Sequence, residues 1–533
     1  MKRRRWHAAI RRAATAALLA ATAHAAADTL ERGNGPEPST LDAHRCQEVA
    51  CGNVLRDLYE GLVAESAEGR LVPGMAERWE VSDDGRHYRF HLREGLRWSD
   101  GTPLDAHAVV ASFRRAFEPA TAAPFAQALE MIEHAPAIQR GELPPERLGV
   151  HAPDARTVAF RLTRSAPLPA LLTLPIAFPV RVDRARALGA EHTRPGNLVS
   201  NGAYRLVAWT PQASLTLERN PAFHDAANVR IPRVRFHVTE DASSELKRFA
   251  AGGLDITEVV PPQPLAGLRA RFGEQLRIAP YLGSFWLGLN LERPPFRDNP
   301  ALREALSLAI DRDILTRHVT ALGEQPAYGI VPPGIDGHAP AALPWADMSQ
   351  SERVALARQR YREAGYGDDR PLTVELRYNT STPHRRLALA VAAMWRETLG
   401  VRTRLRNEEW RVFVQNRRQR AITEAFRGGW IMDVEDPRSL LANFVGDTAL
   451  NWSGYRDPDF EALLAAADAA PDAAARSALL REAEARLLDA HAVIPLYYYT
   501  SKHLVAPRVG GWQANPLDRH PTRHLDLDGG AAR

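Results

Sequence analysis

The chain has 533 residues, of which 45% are hydrophobic and 25% are charged, and its formal net charge is +4. This length exceeds what one hydrophobic core usually supports, so two or three lobes are expected. After the N-terminal segment, no apolar run reaches the roughly 20 residues that a membrane-spanning helix requires.

The first 25 residues predict a cleaved secretory signal; the alternative is a disordered basic tail. Six basic residues flank or precede a short apolar run at residues 13–23, and Ala23-His24-Ala25 fits a cleavage site, with Ala25-Ala26-Ala27 as the alternative. Removing residues 1–25 changes the formal charge from +4 to −2, so the pI of about 9.1 owes much to this segment. The mature chain therefore has no electrostatic reason to bind nucleic acid. We expect a soluble periplasmic protein without a lipid anchor.

Periodic hydrophobic patterns then follow in chain order. Alternating residues predict strands at 88–92, 204–208, 215–218, 234–238, 374–378, 401–405 and 494–499. Helical spacing predicts helices at 52–63, after Asp105, after Asn299, at 387–399 and over 456–490. Strands and helices mix throughout, which favours an α/β architecture in several lobes.

Cys46 and Cys51 are the two cysteines of the chain. In an oxidising compartment they can form a disulfide, and free buried thiols are the alternative. A metal site that adds His44 has a spacing that matches no common zinc motif.

No motif with a catalytic mechanism is present. The sequence contains no G-x-S-x-G, H-E-x-x-H, G-x-G-x-x-G or G-x-x-x-x-G-K-[ST] pattern, and its 18 histidines show no ligand-like pairing. We therefore expect no enzyme activity, no cofactor and no metal site.

Four blocks are similar to the peptide-binding proteins of ABC importers, the family that includes oligopeptide-, dipeptide- and nickel-binding proteins. They are LYEGLV with LVPGMAE, WEVSDDGRHYRFHLREGLRWSDGTP, NGAY with LERNP, and PPFRDNPALREALSLAIDR. PAYG, YNTS, GGWIMD and IPLYYY resemble the oligopeptide branch more narrowly. Together these stretches cover nearly the whole mature chain in the family's order.

The resemblance implies a two-lobed periplasmic binding protein of the cluster C type, with a hinge and an extra inserted domain. Lobe I would combine residues 26–59, 185–282 and 501–533, with inserted domain II at 60–184 and lobe III at 283–500. The ligand would be enclosed between the closing lobes.

The implied function is capture of short peptides and their delivery to the permease subunits of an ABC importer, by a monomer. The alternatives are the same fold with another ligand (murein peptide, haem, nickel chelate or opine), or a periplasmic hydrolase or chaperone.

The resemblance also implies site residues. Asp433 would pair with the peptide amine, and Arg427, His384 and either Arg417 or Arg418 with its carboxylate. One extra residue between Trp410 and Trp430 leaves that last choice open. The other candidates are Gln47, Glu48 and Val49, an extended stretch that would pair with the peptide backbone; Trp286 and Trp430, which line the pocket or belong to the core; and Gly429 in the motif before Asp433.

Two departures from the family pattern stand out. The positions of a disulfide found in some relatives are Gly283 and Ile431 here, so both cysteines are missing together. Gln47 occupies the place of an expected acidic residue, and Glu48 stands beside it.

Overall fold

The computed structural model describes residues 29–527 apart from 262, 447, 449 and 471. The predicted signal at residues 1–25 lies outside this part. Within it, no helix combines the length and the apolar character that a membrane crossing requires.

The strands confirm the predicted β segments and extend several of them. They are β1 (Thr29–Gly33), β2 (Val63–Glu65), β3 (Leu71–Pro73), β4 (Ala76–Val81), β5 (His87–Leu92), β6 (Val150–Asp154), β7 (Thr157–Arg161), β8 (Tyr204–Thr210), β9 (Ser214–Arg219), β10 (Arg233–His237), β11 (Leu276–Leu289), β12 (Gln325–Pro326), β13 (Thr373–Asn379), β14 (Arg402–Glu408), β15 (Ala425–Ile431) and β16 (Val493–Leu504).

Helices alternate with these strands, as an α/β chain requires. They are α1 (Val49–Leu58), α2 (Ala106–Phe117), α3 (Ala135–Gln139), α4 (Leu168–Leu171), α5 (Val182–Leu188), α6 (Ala242–Ala250), α7 (Leu265–Phe272), α8 (Pro300–Leu308), α9 (Arg312–Ile314), α10 (Gln350–Glu363), α11 (Thr382–Leu399), α12 (Trp410–Gln419), α13 (Pro437–Leu441), α14 (Pro458–Asp468) and α15 (Ala473–Asp489).

Two predicted helix starts are confirmed by their caps. Asp105 accepts a hydrogen bond from the Ala108 N–H at 2.9 Å, and Asn299 accepts one from the Leu302 N–H at 3.2 Å. Each side chain satisfies a backbone donor that the first helical turn leaves free.

Two predicted helices were placed wrongly. The helix expected at 52–63 runs from Val49 to Leu58. The Gly202 N–H donates a hydrogen bond to the Leu58 carbonyl at 2.8 Å, and the helix ends there. The segment expected as one helix over 456–490 is two, and Asp472 caps the second by accepting from the Ala475 N–H.

Three sheets organise the described chain. One has the order β1-β10-β9-β8, the second β4-β5-β7-β6, and the third, with six strands, β12-β16-β11-β15-β13-β14; β2 and β3 form a separate pair. Separate hydrophobic clusters lie against the first and second sheets, and two more lie against the six-stranded sheet.

The long antiparallel strands β11 and β16 connect the first sheet with the six-stranded one. Their register shifts between Pro280 and Ser284, and β11 is half-exposed before Leu282 and buried after it. At the far end of the pair, Val505 and Ile256 form a bridge that continues to Arg32 of β1. The lobe boundary predicted at residues 282–283 coincides with the register shift, and the domain limits themselves stay a prediction.

Arg519 connects three distant parts of the chain. Its guanidinium pairs with Glu65 at 2.6 Å, approaches Thr173 Oγ1 at 3.3 Å and donates to the Asp433 backbone carbonyl. The buried Arg519 cation thus connects the backbone of Asp433 with Glu65 and Thr173.

Glu484 on α15 is fully buried and accepts hydrogen bonds from the N–H groups of Ile330, Val331 and Ala341, each at 2.8 Å. Glu484→Ala would leave these three donors unsatisfied. We expect the free energy of unfolding to fall by about 3 kcal/mol or more, because each orphaned buried donor costs roughly 1–3 kcal/mol. Denaturant melts of this variant and of Glu482→Ala, which is exposed on the same helix, check it; equal stability of the two variants would contradict the assignment.

Candidate functional site

The site lies in a cavity of about 590 Å³ where the sheets meet. Residues 34–36, 46–50, 52–53, 56, 258–260, 281, 501–502 and 517–519 contribute one wall, residues 125 and 174–176 a second, and residues 322, 431–433 and 500 a third. These walls come from the three parts that the sequence analysis assigned to lobe I, domain II and lobe III. Of the predicted site residues, the cavity brings together Gln47, Glu48, Val49 and Asp433.

Asp433 follows the end of β15 and faces this cavity. No residue within the described part donates a hydrogen bond to its carboxylate, since Arg519 binds its backbone carbonyl instead. Burial raises the pKa of Asp433, and the charges of Arg519 and Arg56 partly oppose that rise. A partly buried carboxylate that accepts no hydrogen bond favours a cationic group of a ligand.

Arg56 lies beside Asp433 and was missed by sequence reasoning. Its guanidinium folds back over Gly52, where a Cβ would come within 2.8 Å of Nη1. Burial and the neighbouring Arg519 lower the pKa of Arg56 to about 9. A glycine one helical turn before an arginine is the signal that could have found this packing.

Gln47, Glu48 and Val49 form the rim of the cavity. The Glu48 carboxylate accepts hydrogen bonds from the Ser39 N–H at 2.8 Å and the Ser39 hydroxyl at 2.7 Å. Val49 was expected in an extended stretch, but it is the first residue of α1 and 58% of it is exposed. The extended conformation ends at Glu48, and the first N–H groups of α1 have no acceptor within the helix.

Cys46 and Cys51 are joined by a disulfide across the start of α1. The disulfide is one of the alternatives that the sequence left open. It ties Gln47, Glu48 and Val49 into a short covalent loop at the rim of the cavity.

Arg427, His384 and Arg417 lie outside the cavity lining, along the six-stranded sheet. The Asn379 side-chain oxygen accepts from Arg427 Nε at 2.9 Å and lies 2.9 Å from His384 Nδ1. His384 occupies the first turn of the 18-residue helix α11. Burial and the charge of Arg427 lower the pKa of His384 to about 4. A helix N-terminus beside an arginine favours an anion.

Arg417 and Arg418 differ in their surroundings. Arg417 is 5% exposed, and its guanidinium carbon lies 3.3 Å from the centre of the Trp452 ring, whereas Arg418 is exposed. Burial and the repulsion of Arg427 lower the pKa of Arg417 to about 9. Among the described residues, no carboxylate forms an ion pair with Arg417, Arg427 or His384.

The two tryptophans occupy different environments. Trp286 is 1% exposed and stacks on Trp452 within the core, so it does not line the cavity. Trp430 is half-buried against the same cluster. Gly429 leaves room for the Tyr499 hydroxyl, which would lie 2.7 Å from a Cβ at that position.

Gly283 and Ile431, at the positions of the missing disulfide, are register partners in β11 and β15. A Cβ on Gly283 would lie 3.1 Å from Ile431 Cγ1. The two positions of the missing disulfide therefore occur at one place in the fold, next to the cavity wall that Ile431 contributes.

The chain as a whole is similar to known proteins. Residues 70–452 match the family model "Bacterial extracellular solute-binding proteins, family 5 Middle". The chain is 38% identical over 527 residues to the periplasmic oligopeptide-binding protein of Salmonella typhimurium, with 96% of each chain covered.

Two solved structures are similar over 94% of this chain. One is the unliganded open form of a periplasmic murein tripeptide-binding protein, with a TM-score of 0.82, 34% identity and 97% of that chain covered. The other is the oligopeptide-binding protein of Haemophilus influenzae in complex with RPPGFSPFR, with a TM-score of 0.80, 32% identity and 99% coverage.

The buried cations suggest a stability experiment. Arg417→Met removes a buried charge that has no carboxylate partner and keeps an apolar stem against Trp452. We expect the ligand-free protein to unfold with an unchanged free energy or one higher by up to about 2 kcal/mol, because replacing buried ions by apolar groups is often stabilising. Arg418→Met, on the exposed neighbour, is the matched control and should stay within about 0.5 kcal/mol of wild type. A loss above about 2 kcal/mol in Arg417→Met would show that the cation is a structural element.

Proposed function

The chain belongs to the bacterial extracellular solute-binding proteins of family 5, and we propose that it captures short peptides between its lobes and delivers them to the permease subunits of an ABC importer. One observation carries the proposal. Asp433 is a partly buried acidic group, and the buried Arg417 lies with the partly buried Arg427 and His384 in a basic group; neither set has an ion-pair partner within the described chain. A peptide supplies both missing charges at its two ends.

The spacing of these groups suits an extended peptide. Arg427 precedes Asp433 by six residues along β15 and its continuation, which corresponds to at most roughly 20 Å of extended chain at about 3.3 Å per residue. A ligand of a few residues covers the same span. The first N–H groups of α1 at Val49 have no acceptor within the helix and supply donors for a ligand oxygen.

Two relatives support the same proposal. The Haemophilus influenzae protein was solved in complex with RPPGFSPFR, and the other solved relative is a murein tripeptide-binding protein. A murein peptide carries both an amine and a carboxylate, so it is a ligand within this proposal. Haem has carboxylates and no amine, and would leave Asp433 unpaired.

We also propose a periplasmic location and a monomeric state. Two observations support the location: the relatives are periplasmic proteins, and residues 1–25 predict a secretory signal. The proposed role needs binding and release without bond making, and the relatives are named as binding proteins.

Mass spectrometry of the ligand that co-purifies from the periplasm tests the proposal directly. The protein is then unfolded, washed and refolded, and di- to penta-peptides are titrated by calorimetry. Each peptide is compared with its N-acetyl and C-amide forms. We expect free peptides to bind and both capped forms to bind more weakly; failure of every free-amino peptide to bind the refolded protein would sink the proposal.

Asp433→Asn preserves shape and removes the charge that pairs with the ligand amine. We expect a loss of roughly 3–5 kcal/mol, or about two to four decades in affinity. Glu48→Gln is the control inside the same cavity, since its carboxylate is held by Ser39, and should bind nearly as wild type.

N-acetylation of the peptide completes a double-mutant cycle. The acetyl group should cost wild type far more than it costs Asp433→Asn, because the amine and the carboxylate act as one pair. Equal acetylation penalties in the two proteins would refute the assigned role.

Peptide affinity should fall as the solution becomes acidic. Burial raises the pKa of Asp433 in the free protein, and a bound amine lowers it again, so binding releases protons in this range. As the pH falls, Asp433 therefore becomes protonated at a higher pH than an ordinary aspartate does, and the affinity for the peptide falls with it. Calorimetry at a series of pH values from neutral downward, in buffers of different ionisation enthalpy, measures the released protons. Asp433→Asn should show no proton release of this origin.

A further inference from the structure

A second group of ligating side chains lies behind the cavity wall. His503 ends β16, and Asp518 and His520 follow in the C-terminal segment. The Asp518 Oδ1 atom is 2.8 Å from His503 Nε2 and 3.0 Å from His520 Nε2. All three atoms lie within 4.8 Å of one another. The sequence gives no sign of this group, because His503 stands 15 residues before Asp518 and only the fold brings them together.

The two imidazoles are held in fixed orientations. His503 Nδ1–H donates to the Thr257 backbone carbonyl at 2.8 Å, which directs its Nε2 atom into the group. The His520 ring stacks on Trp512 with a centroid distance of 3.8 Å and an interplanar angle of 22°. The side chains of His503 and His520 are 6% and 7% exposed. Outer partners that orient a histidine in this way are typical of metal sites.

The local charges suit a divalent cation. Glu258 lies near the same group, where its charge interacts with those of His503 and Asp518. Once an ion has displaced the Nε2 protons, both imidazoles are neutral, and the Asp518 and Glu258 carboxylates together balance a charge of +2. Arg32 is the basic neighbour on the other side, and it is engaged by the His520 carbonyl and Thr522.

We propose that His503, Asp518 and His520 form a binding site for a divalent transition-metal ion such as zinc. Two nitrogens and one carboxylate oxygen are a donor set that zinc accepts, with the fourth position left for water. Donors bound at about 2.0–2.1 Å in a tetrahedral site lie roughly 3.4 Å apart, so the present separations of 2.8 and 3.0 Å need only small movements. The ion replaces the protons that the Nε2 atoms donate to Asp518, and these protons pass to solvent.

This site borders the ligand cavity without depending on what that cavity binds. Asp518 and Glu258 both line the cavity, whereas His503 and His520 lie behind it. An ion at this place would fix Asp518 and the C-terminal segment that carries Arg519. The proposal therefore stands or fails separately from peptide capture.

Zinc binding to the full chain, after treatment with a chelator and removal of bound ligand, tests the site. Calorimetry and metal analysis after dialysis should give one zinc per chain. His520→Gln is the decisive variant, because the glutamine amide can still donate to Asp518 but is a poor zinc ligand. We expect it to keep the thermal stability of the metal-free protein and to bind zinc at least 10-fold more weakly.

His318→Gln, on an exposed histidine, is the matched control and should bind zinc as wild type. Cobalt substitution supplies an independent reading, since a tetrahedral site gives visible d–d absorption that His520→Gln should lose. Stoichiometric zinc that is unaffected by His520→Gln, or no zinc binding by wild type, would overturn the proposal and leave a purely hydrogen-bonded triad.

Discussion

The buried charges of the cleft are the constraint on which the rest of the structure depends. An ion removed from water is tolerated when a partner of opposite charge and hydrogen bonds replace its hydration. Within the chain, Arg519 with Glu65 and Arg115 with Asp42 have such partners, and the fully buried Glu484 is held by three backbone N–H groups alone. Asp433 is an acidic group and Arg417 a basic group, and neither has a partner of opposite charge within the described chain. In the proposed peptide complex, the amine and the carboxylate of the ligand supply both of these missing partners.

The fold serves this constraint by bringing distant stretches to one place. β11 and β16 cross between the sheets, and their register shift next to Ser284 lies close to where the cavity begins. Arg519 then connects the C-terminal segment with Glu65 and with the backbone of Asp433. The carboxylate of Asp433 remains available because its backbone, and not its side chain, takes part in that structural contact.

The sequence predicted the architecture better than the site. Periodicity located strands such as β5 and β13, and caps located α2 and α8, because these depend on local pattern and backbone donors. The helix α1 ended early because Gly202, distant in sequence, takes its terminal carbonyl. Arg417 and Arg418 were indistinguishable in sequence, and burial separates them. Arg56 was missed for a related reason, since its position over Gly52 is a packing fact.

Several carboxylates line the cavity beside Asp433, yet the amine of a ligand has reason to choose among them. The Glu48 carboxylate accepts two hydrogen bonds from Ser39, Glu258 accepts one from the Asn53 side chain, and Asp518 is bound by two imidazoles. Each of these groups would have to give up a partner to receive a ligand. Asp433 would give up none, because within the described chain its carboxylate accepts no hydrogen bond. The ligand amine should therefore select Asp433, because the neighbouring carboxylates already have hydrogen-bond or ion-pair partners. Breaking such an interaction costs free energy, whereas pairing with Asp433 breaks none.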